Sequence, residues 1–169
     1  MKNFSLVLTA LVVVGFIFLT VKGNEVQEIK TEIEISASPE DVWQILSDVD
    51  KWQDWSPIIN KSSGSLTLGN TIEITMVGKE TGKDGPQYSP KIVELESKKS
   101  FRWRAHMIAG FIFTNDKVFE LYQTQTGTRV VHKEIFSGLL APVFKGQMEK
   151  GVPPMLDSMN QALKQLVEG

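Results

Sequence analysis

The chain has 169 residues, of which 41% are hydrophobic and 22% are charged, and its mean hydropathy is -0.09. These values are typical of one globular domain. The absence of cysteine excludes disulfides, thiolate nucleophiles and cysteine-ligated metal sites. The net charge is -2 and no basic run is longer than two lysines, so the charge pattern of a nucleic-acid-binding protein is missing.

The apolar residues are concentrated at the N-terminus, where residues 4–21 form an almost uninterrupted apolar run. As a helix this run would be about 27 Å long, close to the roughly 30 Å thickness of a bilayer core. The length favours a single-pass membrane anchor within residues 1–23 over a signal peptide, whose apolar region usually has about 7 to 15 residues. Small residues at Val21 and Gly23 leave the alternative open that cleavage before Asn24 yields a secreted or periplasmic protein.

The remaining residues, 24–169, have the pattern of one α+β domain. Ile29, Thr31, Ile33 and Ile35 alternate with charged residues, and this alternation predicts a half-buried first strand. Ser38 followed by Pro39 is a helix start signal, and a second short helical stretch ends at Pro57. Alternating segments separated by predicted turns at 69–70, 82–86 and 126–127 then predict an antiparallel meander. Its strands are 71–78, 88–96, 101–107, 117–123 and 128–136, with a weaker candidate at 62–66.

The final segment, 141–167, carries apolar residues at helical spacing. Gly151, Pro153 and Pro154 lie inside it and predict a break or a kink. The order of elements indicates a sheet that packs against a long closing helix.

Several short motifs in this order resemble one superfamily. They are Ile33–Trp43 (Ile-Glu-Ile-Ser-Ala-Ser-Pro-Glu-Asp-Val-Trp), 48–57 with Trp52 and Trp55, Phe101-Arg102-Trp103-Arg104, and Gly127-Thr128-Arg129 leading to 136–142. The chain is similar to the START-like helix-grip (SRPBCC) superfamily, and within it to the polyketide cyclase/dehydrase and lipid-transport branch. It departs from the pattern at Asn115-Asp116-Lys117. The resemblance implies a helix-grip fold, in which a curved antiparallel β-sheet wraps around a long C-terminal α-helix and the space between them receives a ligand.

Strand parity and helix spacing indicate which side chains would face this space. The predicted pocket residues are Ile72, Ile74, Met76, Phe101, Trp103, Ala105, Phe119, Leu121, Val130, His132, Glu134, Met148, Met155 and Met159. Arg102, Arg104 and His106 have the opposite parity and are expected to face solvent. Ordinary core packing explains the apolar members equally well, and the tryptophan pair Trp52 and Trp55 is expected to pack against one end of the sheet.

His132 and Glu134 are the candidate catalytic residues, because an imidazole and a carboxylate on one strand face can act as a general base and its orienting partner. Tyr88, Tyr122 and Asp116 are candidates for the second group that catalysis would require. The sequence carries no metal-ligand spacing, phosphate loop or nucleophile motif, so no metal or cofactor is expected.

Three functions follow as expectations. The favoured one is a binding or carrier protein for a hydrophobic, lipid-like small molecule, attached to a membrane through residues 4–21. The alternatives are a cyclase- or dehydratase-like enzyme that uses His132 and Glu134, and an interaction module whose interior is filled.

Overall fold

The computed structural model describes residues 26–80, 83–107 and 109–169. These described residues form eight strands and three α-helices: β1 Gln27–Ile35, α1 Pro39–Ser47, a 3-10 turn Val49–Lys51, α2 Trp52–Trp55, β2 Ile59–Ser63, β3 Glu73–Val77, β4 Asp84–Tyr88, β5 Lys91–Glu96, β6 Ser100–Met107, β7 Phe113–Gln123, β8 Thr128–Ser137 and α3 Ala141–Glu168. The predicted anchor or signal peptide, residues 1–23, lies outside the described residues. No helix among the described residues is long and apolar enough to span a membrane.

All strand pairs are antiparallel. One sheet has the order β1-β8-β7-β6-β5 and the other has the order β2-β3-β4. An isolated bridge between Thr71 and Lys91 and a hydrogen bond from the Ile72 amide to the Pro90 carbonyl (3.0 Å) join the two sheets. With the long C-terminal helix against the larger sheet, the architecture is the α+β, helix-grip-like arrangement expected from the sequence.

Local signals account for the entry into the domain. In β1, inward and outward residues alternate along the strand, as the isoleucine pattern predicted. The Ser38 hydroxyl accepts a hydrogen bond from the Asp41 amide, and the Asp41 carboxylate accepts one from the Ser38 amide, so a reciprocal cap begins α1. Pro39 occupies the first turn, where its missing amide donor costs nothing.

Several boundaries differ from the sequence prediction, and the weaker candidate strand 62–66 is displaced to β2, Ile59–Ser63. β7 begins at Phe113, four residues before the predicted start at Lys117, because its hydrogen bonds to β6 and β8 continue through polar residues. β4 occupies part of the predicted turn at 82–86, where pairing with β3 overrides the turn propensity of Gly85 and Pro86. The predicted strand 88–96 is divided at Ser89 and Pro90, between β4 and β5.

The predicted break in the last helix does not occur, and α3 continues through Pro153 and Pro154. Each proline removes one amide donor from the helical ladder. Val152 and Leu156, on either side of the prolines, are both buried against the sheet. This packing holds the helix together across the missing hydrogen bonds.

The core between the sheet and α3 consists of two apolar clusters. The larger cluster lies under α1 and α2 and includes Trp52, which is fully buried, stacks with Phe101 at 6.2 Å and contacts Trp103 at 5.3 Å. Its indole N–H donates to the Leu46 carbonyl at 3.1 Å. The packing role predicted for Trp52 is therefore confirmed. The smaller cluster contains Phe113, Phe136, Ala141, Met148, Val152 and Leu156.

Candidate functional site

A cavity of about 580 Å³ opens between the two sheets and the first half of α3. Its volume falls in the range of sites for small organic ligands, roughly 300 to 1,000 Å³. Most of its wall is apolar; these residues are Ile58, Ile59, Ile74, Met76, Pro90, Trp103, Ala105, Met107, Phe113, Phe136, Phe144, Met148, Val152 and Met155. The remaining wall is polar and consists of Gln87, Tyr88, His106, Asn115, Lys117, Glu134 and Gln147.

Half of the predicted pocket residues line this cavity: Ile74, Met76, Trp103, Ala105, Glu134, Met148 and Met155. The other half are buried but lie outside its wall: Ile72, Phe101, Phe119, Leu121, Val130, His132 and Met159. The division has a structural cause. One end of the inner sheet face is covered by α1 and α2, whose Trp52 fills the space above Phe101. Parity identified the inner face, but only the packing of these helices decides which end of it stays open.

Glu134 and Lys117 form an ion pair in the cavity wall. Lys117 Nζ lies 3.0 Å from Glu134 Oε1, and only 5% of Lys117 and 6% of Glu134 are exposed. Asn115 Nδ2 donates to Glu134 Oε2 at 3.0 Å, so each carboxylate oxygen has a partner. The register of β7 and β8 places Lys117 directly opposite Glu134. The three side chains thus make one hydrogen-bonded polar group in a cavity wall that is mostly apolar.

Two aromatic rings adjoin this polar group. The Lys117 ammonium lies 5.6 Å from the centre of the Trp103 ring, within the range of a cation–π interaction. Tyr88 lines the cavity and is 41% exposed. Partial burial raises the pKa of the Tyr88 phenol, and the negative charge of Glu134 raises it further. Tyr88 is therefore a neutral hydroxyl at physiological pH, able to donate or accept a hydrogen bond.

His132 is fully buried between the sheet and α3, and it does not line the cavity. Its ring stacks on Phe119 with 3.9 Å between ring centres, and Nδ1 lies 3.0 Å from Asn160 Oδ1. Asn160 in turn donates to the Thr31 hydroxyl at 2.8 Å. Burial lowers the pKa of His132 well below its usual range, and the positive charge of Lys117 lowers it further. The structure therefore separates the two catalytic candidates: Glu134 faces the cavity and His132 belongs to the core.

The other candidate groups divide in the same way. Tyr88 lines the cavity, whereas Asp116 follows Asn115 on the opposite face of β7 and receives two hydrogen bonds of 2.7 Å from Arg104. Tyr122 is exposed and donates to Glu120 at 2.8 Å. His106 is exposed as expected, at the cavity mouth, with Nδ1 3.0 Å from the Thr114 hydroxyl.

Sequence reasoning missed Lys117 and Asn115. Both have the inward parity of Phe119 and Leu121, and that parity is the signal that identifies them. The signal is easily missed because charged and amide side chains at the predicted end of a strand are normally expected to face solvent.

No cluster of three or more potential metal ligands among histidine, aspartate and glutamate occurs in the described part of the chain. The polar groups of the cavity are an ammonium, a carboxylate, amides, a phenol and one imidazole at the mouth. This set suits hydrogen bonding to an organic molecule.

An antiparallel sheet packed on a long C-terminal helix, with a mostly apolar cavity between them, defines a ligand-binding protein of the helix-grip type. The chain belongs to the polyketide cyclase / dehydrase and lipid transport family, whose model matches residues 26–168. This membership agrees with the SRPBCC resemblance of the sequence motifs. No curated protein matches the chain.

Solved structures share the fold at low sequence identity. The Zhui aromatase/cyclase from Streptomyces sp. R1128 is 13% identical with a TM-score of 0.65, covering 85% of this chain and 94% of that one. A point mutant of norcoclaurine synthase from Thalictrum flavum, in complex with a transition-state analogue, is 17% identical with a TM-score of 0.65 and the same coverage. A Staphylococcus aureus protein of unknown function is 16% identical with a TM-score of 0.67, covering 86% and 95%. At these identities the likeness shows a common fold, and the fold alone does not define an activity.

Proposed function

We propose that the domain binds a hydrophobic, lipid-like small molecule in the cavity between the sheet and α3, as a carrier or sensor, while residues 4–21 attach it to a membrane. The cavity itself carries this proposal. Its volume of about 580 Å³ and its mostly apolar wall suit an apolar molecule, and the buried polar group of Asn115, Lys117 and Glu134 suits a polar substituent on that molecule. Methionines at 76, 148 and 155 add a flexible apolar surface that adapts to such ligands.

The position of the N-terminal strand supports the membrane attachment. β1 begins at Gln27, which pairs with Phe136, and Phe136 lines the cavity. A membrane segment that precedes β1 would therefore hold the cavity end of the domain close to the bilayer. Phe111 and Val143 lie at the same end, where the Leu139 amide donates to the Phe111 carbonyl, and they are 70% and 63% exposed. Tethering raises the local concentration of molecules dissolved in the bilayer.

The proposal is tested by mass spectrometry of compounds extracted from the full-length protein after purification from membranes. We expect a hydrophobic compound to co-purify with the wild type and with Leu166→Trp, which adds a tryptophan at an exposed position of α3. Ala105→Trp, which fills part of the cavity, should lose the compound. Retention by Ala105→Trp would place the compound elsewhere, and repeated absence from the wild type would favour the interaction-module alternative.

One observation favours an enzyme as a second candidate: the Lys117–Glu134 pair supplies an ammonium and a carboxylate at an apolar wall, where acid–base catalysis is effective. In this version Glu134 acts with Lys117, since His132 lies outside the cavity wall. Incubating the purified protein with candidate ligands and following their mass separates the two functions. A carrier returns the ligand unchanged, whereas a dehydratase returns it with the loss of water.

A further inference from the structure

The buried ion pair of the cavity bears on the kind of ligand that fits there. Lys117 and Glu134 are the two cavity-lining side chains with opposite formal charges, and the rest of the wall carries no other carboxylate, ammonium or guanidinium among the described residues. The two charges are 3.0 Å apart and compensate each other. The formal net charge of the wall, with the His106 ring counted as neutral, is therefore zero.

Each charge nevertheless keeps hydrogen-bonding capacity. An ammonium has three donors, and among the described residues Glu134 is the one carboxylate within 4.0 Å of the Lys117 ammonium. A carboxylate accepts about four hydrogen bonds, and Glu134 receives Asn115 on one oxygen and Lys117 on the other. A ligand oxygen that reaches the pair can accept from Lys117, and a ligand hydroxyl can also donate to Glu134.

A charged ligand meets a different balance. A carboxylate that accepts from Lys117 lies next to the negative charge of Glu134, and an amine that donates to Glu134 lies next to Lys117. Either ion must also leave water for a wall that offers no net compensating charge, and such desolvation is unfavourable. A buried ion pair is in addition weak evidence for stability, since its desolvation offsets much of its attraction. A role in selecting ligands is thus a reason for its presence in the wall.

We propose, on the basis of the function proposed above, that the Lys117–Glu134 pair selects neutral hydrophobic molecules that carry a hydroxyl or carbonyl oxygen. Carboxylates and amines of the same chain length are rejected. The selected class comprises long-chain alcohols, ketones and phenols. Apolar contacts with the cavity wall hold the body of the molecule, and the ion pair positions its oxygen.

The test compares four ligands that share a ten-carbon chain: 1-decanol, 2-decanone, decanoate and decylammonium. Each is added to the full-length protein with the neutral dye Nile red in detergent at pH 8, and displacement of the dye is measured. The Ala105→Trp variant, whose cavity is partly filled, gives the background signal that dye and ligand produce in the detergent micelles. We expect decanol and decanone to displace the dye at concentrations at least tenfold lower than those required for decanoate and decylammonium.

Variants that leave one charge unpaired sharpen the test. Glu134→Gln leaves Lys117 as an uncompensated cation, so the affinity for decanoate should rise at least tenfold relative to the affinity for decanol. Lys117→Gln leaves Glu134 as an uncompensated anion, so the affinity for decylammonium should rise by a similar factor. If either single variant fails to fold, the neutral variant Lys117→Met/Glu134→Leu takes its place. This variant should bind decane and decanol with equal affinity, whereas the wild type prefers decanol.

The outcomes separate the two proposals. If Nile red responds identically to the wild type and to Ala105→Trp, the cavity binds no such molecule and both proposals fail. If the dye is displaced but decanoate or decylammonium is preferred by the wild type, only the selectivity fails. It fails equally if Glu134→Gln and Lys117→Gln leave the order of ligands unchanged, or if the neutral variant still distinguishes decanol from decane.

Discussion

At the scale of single residues, His132 and Glu134 share the inner face of β8 but have different surroundings. Glu134 joins Lys117 at the cavity, whereas His132 is enclosed by Phe119 and bonded to Asn160. The Nε2 atom of His132 is buried without a hydrogen-bond partner among the described residues. A protonated ring there would be an uncompensated buried cation close to Lys117, so the folded protein holds the ring neutral.

This environment predicts a loss of stability in mild acid. The pKa of His132 is lowered in the folded state, whereas an unfolded chain protonates the ring near pH 6.5. The stability associated with the neutral ring is fully present above pH 6.5 and decreases as the pH falls toward the folded pKa, because the unfolded state binds the proton first. The slope from this one group approaches about 1.4 kcal/mol per pH unit.

Urea denaturation of the full chain between pH 7.5 and pH 5.5 measures this slope. His132→Gln should flatten the dependence of unfolding free energy on pH, whatever its effect on stability at pH 7.5. His106→Gln, which keeps His132, is the matched control and should retain most of the slope. An unchanged slope in His132→Gln would show that the ring is not held neutral in the folded protein.

At the scale of elements, α3 carries two glycines and, beyond Pro142 in its first turn, two internal prolines, yet it is a single helix of 28 residues. Gly146 and Gly151 are exposed, and a Cβ added at either position would meet no atom within 4 Å. Their backbone freedom therefore opposes helix formation, and no close packing contact requires glycine at either position. The helix depends on its buried face, which includes Met148, Leu156 and Met159.

Replacing these glycines should stabilise the domain. Gly146→Ala and Gly151→Ala are each expected to raise the free energy of unfolding by about 0.5–1 kcal/mol, because alanine has less backbone entropy to lose. Gly127→Ala is the contrasting variant. Gly127 has φ +152° and its Cβ would lie 2.1 Å from the Ile35 carbonyl oxygen, so this change should destabilise. Chemical denaturation of the three variants measures the differences, and a loss of stability in Gly151→Ala would mean that α3 needs flexibility there.

At the scale of the whole molecule, the domain has a filled end and an open end. The β7–β8 hairpin, with Thr126 at its tip, lies at the end opposite to Phe113 and Ser137, as the strand register requires. The cavity end also contains the start of β1, so an anchor at residues 4–21 predicts that this end faces the bilayer.

Site-specific labels test this orientation, and the cysteine-free chain makes single labels simple to introduce. In the full chain reconstituted into vesicles, an environment-sensitive fluorophore at Phe111→Cys should be quenched by a lipid-soluble quencher. The same fluorophore at Thr126→Cys, which is also exposed, should be quenched only weakly. The opposite pattern would contradict the orientation, and equal weak quenching at both sites would contradict attachment close to the cavity.

Much of the fold could be predicted from the sequence because its signals are local. Alternation in β1, the Ser38 cap and the helical spacing of α3 each depend on neighbours along the chain, and each is present in the structure. Local signals also produced two wrong predictions, a turn at Gly85 and Pro86 and a break in α3 at its internal prolines. There, long-range pairing with β3 and packing against the sheet outweigh the local preference.

The order of residues was enough to establish which side chains share the inner face of the sheet, since parity follows from the covalent geometry of a strand. Tertiary packing was needed to establish that α1 and α2 fill one end of that face, leaving Phe119 and His132 in the core and Glu134 at a cavity. The pairing of Glu134 with Lys117 and Asn115 also required the folded molecule, because it depends on the register between β7 and β8 and on the burial of Lys117 and Glu134. Burial and pairing are properties of the packed molecule, and they convert a strand pattern into a candidate binding site.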